Sequence, residues 1–233
     1  MSRINLSAPP GALTRRAIVL GAPLFLAACN TTARSGADLK SALPDPQTSY
    51  ASMYAAVPDE KFPLPAVDTT RIPQAFLRQE VRYGMPHPVG SIVVDPYSHY
   101  LYLVLEGDCA LRYGIGVGRD GFAWSGTAVV QYKRAWPKWT PPAEMILRQP
   151  ELEQWRHGMP PGLSNPLGAR ALYLFQDGRD TLYRIHGTNE PHSIGKSVSS
   201  GCIRLLNQDI IDLFNRVPDG SQVVVLPAPG AAV

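Results

Sequence analysis

The sequence has few of the features that mark several common classes of protein. It contains three cysteines in 233 residues, and none of them forms the C-x-x-C pair of many metal and redox sites. A nucleotide-binding glycine loop opens a helix, but no helix is predicted after the glycines between residues 114 and 121, so these glycines predict strand ends and turns. There is no internal repeat. The length fits one domain with flanking segments.

Positive charge is in excess only at the beginning of the chain. The formal net charge is +3, and the three basic residues before Cys29 (Arg3, Arg15 and Arg16) have no acidic neighbour in that segment. The rest of the chain therefore carries equal numbers of basic and acidic side chains. Without a basic surface the protein is a poor candidate for binding nucleic acid, and we predict no such partner.

Residues 1–28 predict an export signal. Basic residues precede an apolar run over Ala17–Ala28, which is too short to cross about 30 Å of hydrocarbon as a helix. The ending "LAAC" resembles a bacterial lipobox, which implies cleavage before Cys29 and a lipid on its thiol that anchors the protein to a membrane. Cleavage that leaves Cys29 without lipid stays open, and so does export by the Sec or, through Arg15 and Arg16, the twin-arginine route.

The remaining chain predicts a short tether followed by a mainly β domain. Residues 29–59 are small, polar and rich in proline, which predicts a flexible tether. We place the domain at residues 60–227 and a tail at 228–233. Short runs rich in aromatic and β-branched residues predict strands in the domain, at 91–108, 109–118, 126–136, 171–175, 181–187 and 221–227. Many short strands and few helices indicate a β-sandwich or a β-rich barrel.

Two segments of the domain predict helices. The first covers Ala143–Trp155, and the second begins at Asn207. In the second, Asn207 has the side chain of an N-cap, and the apolar spacing predicts that Ile210, Ile211 and Phe214 face the core.

The segment "TLYRIHG" followed by "SSGC" carries the candidate catalytic residues. Strand alternation places Leu182, Arg184 and His186 on one face, with Tyr183 and Ile185 on the other, and Gly187 lets the chain turn away. Cys202 comes sixteen residues after His186, and a histidine is the usual partner that activates a thiol. Backbone amides of Ser200, Gly201 and Cys202 would supply hydrogen-bond donors to a developing oxyanion.

Two other interpretations of this pair stay open at the level of single residues. Cys202 fits a small buried side chain and His186 a structural histidine, because cysteine is among the most buried residue types. A zinc site of His186, His192 and Cys202 is a further alternative, although no second thiolate supports it.

The combined motifs resemble one enzyme family. "HGT", "SSGCIRL" and the following N-x-D, together with residues 93–104, 113–126, 165–175 and 199–226, are similar to the L,D-transpeptidase catalytic domain (YkuD-like) in the form typical of diderm envelopes. The resemblance covers residues 61–226. It implies a mainly β fold, a β-sandwich with a few short helices. Many members carry a histidine where this chain has Ser200, so no role is transferred for that histidine.

The resemblance also implies roles for individual residues. Cys202 is the nucleophile, His186 the general base and acid, and the backbone carbonyl of Gly187 orients His186. No cofactor or metal is implied. Arg204 is a candidate substrate-binding residue, because a guanidinium makes bidentate contacts to carboxylates. Ser199 is a second candidate, which would line the substrate pocket. For Arg204 an ion pair with Asp209 or Glu190 is the alternative.

The implied reaction takes place in the cell wall. Cys202 attacks the third residue of a peptidoglycan tetrapeptide stem, D-alanine leaves, and an amine resolves the thioester as a 3–3 cross-link or a lipoprotein attachment, with an envelope lipoprotein or outer-membrane protein as a further acceptor. The expected location is the periplasmic face of the envelope, lipid-anchored through Cys29. The alternatives are a hydrolase of the same fold (L,D-carboxypeptidase or stem-peptide amidase) and a non-catalytic lipoprotein that tethers the wall.

Overall fold

The computed structural model describes residues 46–118, 124–199 and 201–229. The predicted export signal, Cys29 and Ser200 lie outside the described residues. One compact unit covers Pro44–Val233. Among the helices of the described ranges, none combines the length and the apolar character that crossing a membrane requires.

The described chain contains eleven strands and three α-helices. The strands are β1 (Gln79–Arg82), β2 (Ile92–Asp95), β3 (Tyr100–Val104), β4 (Cys109–Gly114), β5 (Val117–Gly118), β6 (Gly126–Ala135), β7 (Arg170–Gln176), β8 (Arg179–His186), β9 (Ser197–Ser199), β10 (Ile203–Arg204) and β11 (Gln222–Val225). The helices are α1 (Pro46–Met53), α2 (Ala143–Arg148) and α3 (Asn207–Arg216). Short 3₁₀ turns lie at Thr69–Arg71, Gln74–Phe76, Pro150–Trp155 and Pro191–Ser193.

Nine of these strands form one sheet in the order β1-β4-β3-β2-β11-β6-β7-β8-β10, and β5 pairs with β9 in a second, two-stranded sheet. Most neighbours are antiparallel, whereas β11 runs parallel to β2 and β10 runs parallel to β8. The prediction of a mainly β domain with few short helices is confirmed. The parallel β8–β10 pair lies at one edge of the long sheet, and it carries the predicted catalytic residues.

One hydrophobic core is shared by most of the strands and by α3. Strand β2 is apolar on both faces and wholly buried at Ile92, Val93 and Val94, as expected of a central strand. Side chains of β3, β4, β6, β7, β8, β10 and β11 meet Ile210 and Leu213 of α3 in a single cluster. The long sheet therefore encloses a common core, and α3 is fixed against it by its apolar face.

The last part of the predicted tether is folded onto the domain. Helix α1 lies within it, and the Tyr54 side chain is only 1% exposed. We name residues 46–78 the N-terminal strap. Tyr54, Ile72 and Leu77 of the strap form a buried cluster with Ile194 and Leu206 of the domain. Residues 46–59 thus pack with the domain as part of one compact unit, and the domain boundary at residue 60 stays a prediction.

The structure also revises the two predicted helices. The segment 143–155 divides into α2 and the 3₁₀ turn, because Pro150 disfavours helical geometry at the preceding Gln149, whose φ and ψ are −137° and 79°. At α3, Leu206 occupies the N-cap position and no side chain caps the helix, so the predicted capping role of Asn207 is wrong. Ile210 is fully buried as predicted, and Ile211 and Phe214 pack at the margins of two clusters.

Candidate active site

Strand β8 delivers His186 to its carboxyl end. Ile185 is fully buried in the core and Tyr183 packs against that core, so Arg184 and His186 point to the opposite face, as predicted from alternation. The regular pattern is interrupted at Leu182, where φ is +63° and the pairing with β7 shifts between Tyr173 and Phe175. The predicted alternation therefore holds from Tyr183 to His186 only.

The parallel pairing of β10 with β8 brings the two halves of the motif together. Ile203 pairs with Ile185, and Arg204 pairs with His186. Cys202 directly precedes this register and so lies beside Arg184. Because paired side chains share a face, Arg204 and His186 project to the same face of the sheet. By continuing the alternation one residue before β10, we infer that Cys202 shares this face and is a diagonal neighbour of His186.

His186 is held as a neutral imidazole of defined tautomer. Its side chain is buried, with 4% of the residue exposed, and Nδ1 lies 2.5 Å from the carbonyl oxygen of Gly187. A carbonyl only accepts, so Nδ1 carries the proton and Nε2 is left as the basic nitrogen. Burial, and then the charges of Arg204 and Arg184, lower the pKa of His186 to about 4, although the Gly187 carbonyl acts in the opposite direction.

The Cys202 side chain lies against protein atoms on most sides, although the residue keeps intermediate exposure. Burial raises the pKa of its thiol, whereas a hydrogen bond with the Arg184 backbone and the charges of Arg184 and Arg204 lower it. A bond that lowers a thiol pKa stabilises the thiolate, so the Arg184 N–H is the donor. In the resting site both the thiol and the imidazole are therefore neutral at pH 7.

Cys109, the other cysteine of the described residues, lies at the start of β4. Its Sγ is 3.4 Å from the carbonyl oxygen of Gly107. Both Cys109 and Cys202 carry a thiol, and no disulfide joins them in the described part of the chain.

The chain reaches Cys202 through a turn that requires a glycine. Gly201 has a φ of +118°, a conformation that side chains with a Cβ rarely adopt, and the position of its missing Cβ is 3.6 Å from the Tyr183 ring. Ser199 is the last residue of β9. Its side chain and the whole of Ser200 lie outside what the structure describes, so their predicted roles stay predictions.

Arg204 makes one of the two ion pairs considered for it. Its Nη1 lies 2.7 Å from a carboxylate oxygen of Glu190, which is about half exposed. Asp209 is instead buried against the strap, where it meets Tyr54 and Arg78. The Arg204 guanidinium is thus on the face of Cys202 and His186, with a carboxylate already beside it.

Sequence reasoning assigned no role to Arg184. Its guanidinium makes two 2.7 Å contacts with Asp180 and lies 4.4 Å above the Tyr173 ring. These contacts hold a positive charge next to both Cys202 and His186. Strand alternation placed Arg184 on the same face as His186, as observed. Arg184 precedes Ile185 and Cys202 precedes Ile203, so the pairing of Ile185 with Ile203 is what brings Arg184 next to Cys202.

In the described residues, the side chains considered for a zinc site are not grouped as metal ligands. His192 lies exposed in the Pro191–Ser193 turn. Among the described residues, no group of three or more His, Cys, Asp or Glu side chains is placed to hold a metal ion.

The strands described above bring a thiol and an imidazole to one edge of a mainly β domain, and the chain also matches a known family. Residues 90–225, more than half of the chain, match the model of the L,D-transpeptidase catalytic domain, YkuD. The chain therefore belongs to the L,D-transpeptidase (YkuD) catalytic domain family, which confirms the resemblance seen in the motifs. That it is a diderm lipoprotein member stays a prediction.

Individual proteins are also similar to this chain. The probable L,D-transpeptidase YbiS of Escherichia coli K12 is 36% identical over 190 residues, which cover 78% of this chain and 58% of that protein. This chain thus spans little more than half the length of that relative. The crystal structure of a probable carnitine operon oxidoreductase from Brucella melitensis is 46% identical, and the match covers 68% of this chain and 99% of that one with a TM-score of 0.47. An L,D-transpeptidase from Mycobacterium smegmatis is 21% identical, with coverages of 58% and 58% and a TM-score of 0.43.

Proposed function

We propose that this protein is a peptidoglycan L,D-transpeptidase that uses Cys202 as its nucleophile. The observation that supports the proposal is the pairing of β8 with β10, in which Arg204, two residues after Cys202, pairs with His186, whose Nδ1 lies 2.5 Å from the Gly187 carbonyl oxygen. Membership of the family supplies the substrate class, the stem peptides of peptidoglycan.

In the first half-reaction His186 acts as the base. Its Nε2 takes the proton of the Cys202 thiol as sulfur attacks the carbonyl carbon between the third and fourth residues of a tetrapeptide stem. The C–N bond then breaks, and the imidazolium returns the proton to the departing D-alanine amine. A thioester between Cys202 and the third residue remains. The Gly187 carbonyl stabilises the imidazolium that forms between these two transfers.

In the second half-reaction an amine enters in place of D-alanine. His186 removes a proton from the amine as its nitrogen attacks the thioester, and the proton passes to the Cys202 sulfur when the C–S bond breaks. A side-chain amine of a neighbouring stem gives a 3–3 cross-link, and a lysine of an envelope protein gives an attachment. Water in the same position would give hydrolysis.

The turn before β10 supplies the groups that stabilise charge on the substrate. Backbone N–H groups of Gly201 and Cys202 are assigned as oxyanion donors, and Ser200 is assigned to the same set on its sequence position. Arg204 is placed to receive a substrate carboxylate, which would compete with Glu190 for the guanidinium. Ser199 is assigned to the same pocket on its sequence position.

The proposed location is the periplasmic face of the cell envelope, with a lipid on Cys29. Its support is the sequence of residues 1–29, namely a basic segment, a short apolar run and the "LAAC" ending. A labelled fatty acid recovered on the wild-type chain and lost in Cys29→Ala would support the anchor.

Product analysis tests the proposed reaction. The full chain is incubated with disaccharide-tetrapeptide, and products are followed by mass spectrometry for wild type, Cys202→Ala and the matched control Cys109→Ala. Cross-linked dimers with loss of D-alanine, absent only in Cys202→Ala, are the expected result. Tripeptide alone would show a hydrolase, binding without turnover would show a wall tether, and full turnover in Cys202→Ala would contradict the mechanism.

A further inference from the structure

Asn207, the first residue of α3, is bonded to the turn that follows His186. Its Oδ1 accepts a hydrogen bond of 2.9 Å from the Ala169 N–H, and its Nδ2 donates one of 2.9 Å to the Thr188 carbonyl oxygen. The amide thus connects three separate parts of the chain. Both of its polar atoms are used in contacts with backbone, and neither serves α3.

Two glycines leave room for this amide. A Cβ on Gly168 or on Gly187 would lie 2.3 Å from Asn207 Oδ1, which is closer than non-bonded atoms approach. The Gly187 N–H is itself bonded to the Arg170 carbonyl at 3.0 Å. The Gly187–Thr188 backbone is therefore held on one side by β7 and on the other by Asn207, and between these two bonds lies the carbonyl that receives His186 Nδ1.

We propose that Asn207 is a positioning residue of the catalytic site, which fixes the Gly187 carbonyl against His186 and thereby keeps the imidazole proton on Nδ1. The inference rests on the proposed function, because it assigns Asn207 to the machinery of His186. It also accounts for the asparagine of the N-x-D motif, whose side chain the capping hypothesis could not explain.

An amide suits this position better than a carboxylate. In Asn207→Asp one oxygen still accepts from Ala169, but the other faces the Thr188 carbonyl without a proton to donate, and two acceptors then repel. The change also adds a negative charge near His186, whose charged neighbours in the described structure are Arg184 and Arg204. A protonated carboxyl would restore the donor to Thr188.

The test measures the tautomer of His186 directly and therefore does not depend on activity. Long-range ¹H–¹⁵N spectra of the full chain report which imidazole nitrogen carries the proton. Wild type should show Nδ1–H, and Asn207→Asp should show a mixture of tautomers at neutral pH. The matched control is Asn189→Asp, in the loop that follows His186. It removes the hydrogen bond from Asn189 Nδ2 to the Ser164 carbonyl oxygen and should leave the His186 spectrum unchanged.

Kinetics give the second readout. For Asn207→Asp we expect kcat to fall about 10- to 100-fold and KM to stay within about twofold of the wild-type value. A loss of this size is typical when a catalytic group is displaced slightly. The loss of kcat should become smaller when the pH is lowered enough to protonate the new carboxyl.

A wild-type tautomer of His186 in folded Asn207→Asp would overturn the inference. If that variant fails to fold, Asn207→Ser replaces it, and an unchanged His186 spectrum there has the same meaning. Absence of turnover in wild type would contradict the proposed function alone, because the spectra still decide the role of Asn207.

Discussion

Asn207 and Asp209 lie in the first turn of the same helix, but their buried polar groups are satisfied in different ways. Asn207 is neutral, and each end of its amide is bonded to backbone at 2.9 Å. Asp209 is fully buried and ionisable. One oxygen accepts from Tyr54 at 3.2 Å, and the other lies 3.9 Å from the Arg78 guanidinium without a hydrogen-bond partner in the described structure. Burial raises the pKa of Asp209 to about 7.

The two residues contact different parts of the molecule: Asn207 is bonded to the turn after His186, and Asp209 contacts the N-terminal strap. Asn207 and its partners lie within residues 90–225, the part that matches the family model, and they form a network of neutral amide groups. The partners of Asp209, Tyr54 and Arg78, belong to the N-terminal strap outside that match. The bonds of Asn207 therefore involve no titratable group, whereas strap attachment depends on a cluster of buried charges.

Removing the cation of the strap cluster should have the largest effect on stability. Arg78 is 12% exposed and also pairs with Asp212 at 2.9 Å, so Arg78→Met leaves a buried carboxylate without its counter-ion. We expect a loss of about 3–5 kcal/mol in the free energy of unfolding at pH 8, measured by urea denaturation. The control Arg216→Met breaks the more exposed pair with Asp212 and should cost less than about 1 kcal/mol. Equal losses in the two variants would contradict the assigned difference.

The pH dependence of stability should separate the two sides of the comparison. The pKa of His186 is lowered from 6.5 to about 4, so its contribution is present above pH 6.5 and lost as pH falls towards 4. The pKa of Asp209 is raised from 3.8 to about 7, so its contribution is present below pH 3.8 and lost as pH rises towards 7. Between pH 4 and 6.5 the two contributions oppose each other.

Two variants reveal the opposed slopes. Relative to wild type, the unfolding free energy of Asp209→Asn should rise with pH by about 1.4 kcal/mol per unit in this window, and that of His186→Gln should fall by a similar amount. Urea denaturation at several pH values measures both. Parallel curves for wild type and either variant would show that the corresponding group does not titrate as assigned.

The smallest effect is expected at the exposed ion pair of the catalytic face. Glu190→Gln removes the carboxylate beside Arg204 and should change stability by less than about 1 kcal/mol, as should Glu153→Gln at the exposed pair with Arg156. Only Glu190→Gln should lower KM for the tetrapeptide, because Arg204 then has no competing carboxylate. An unchanged or raised KM would argue against Arg204 as the carboxylate-binding residue.

The candidate catalytic pair could be located in the sequence because local signals mark it. A strand that ends in His186-Gly187 and a Gly-Cys turn are features of neighbouring residues, and the family motif joins them. The strap could not be predicted in this way. Its first part, residues 46–59, belongs to a segment of mostly small and polar residues with little periodicity, and Tyr54 is buried by contacts with a residue 155 positions away. Local propensity favoured Asn207 as an N-cap, but its bonds to Ala169 and Thr188 depend on tertiary structure.

The central claim is that Cys202 forms a thioester with a stem peptide under the control of His186. Rapid quenching of the full chain with disaccharide-tetrapeptide, followed by intact-mass and peptide mass spectrometry, tests it most directly. We expect a mass increase equal to the substrate minus D-alanine, located on Cys202 and formed about 10²- to 10⁴-fold more slowly in His186→Gln. An adduct on Cys109, or one that forms equally fast in His186→Gln, would contradict it.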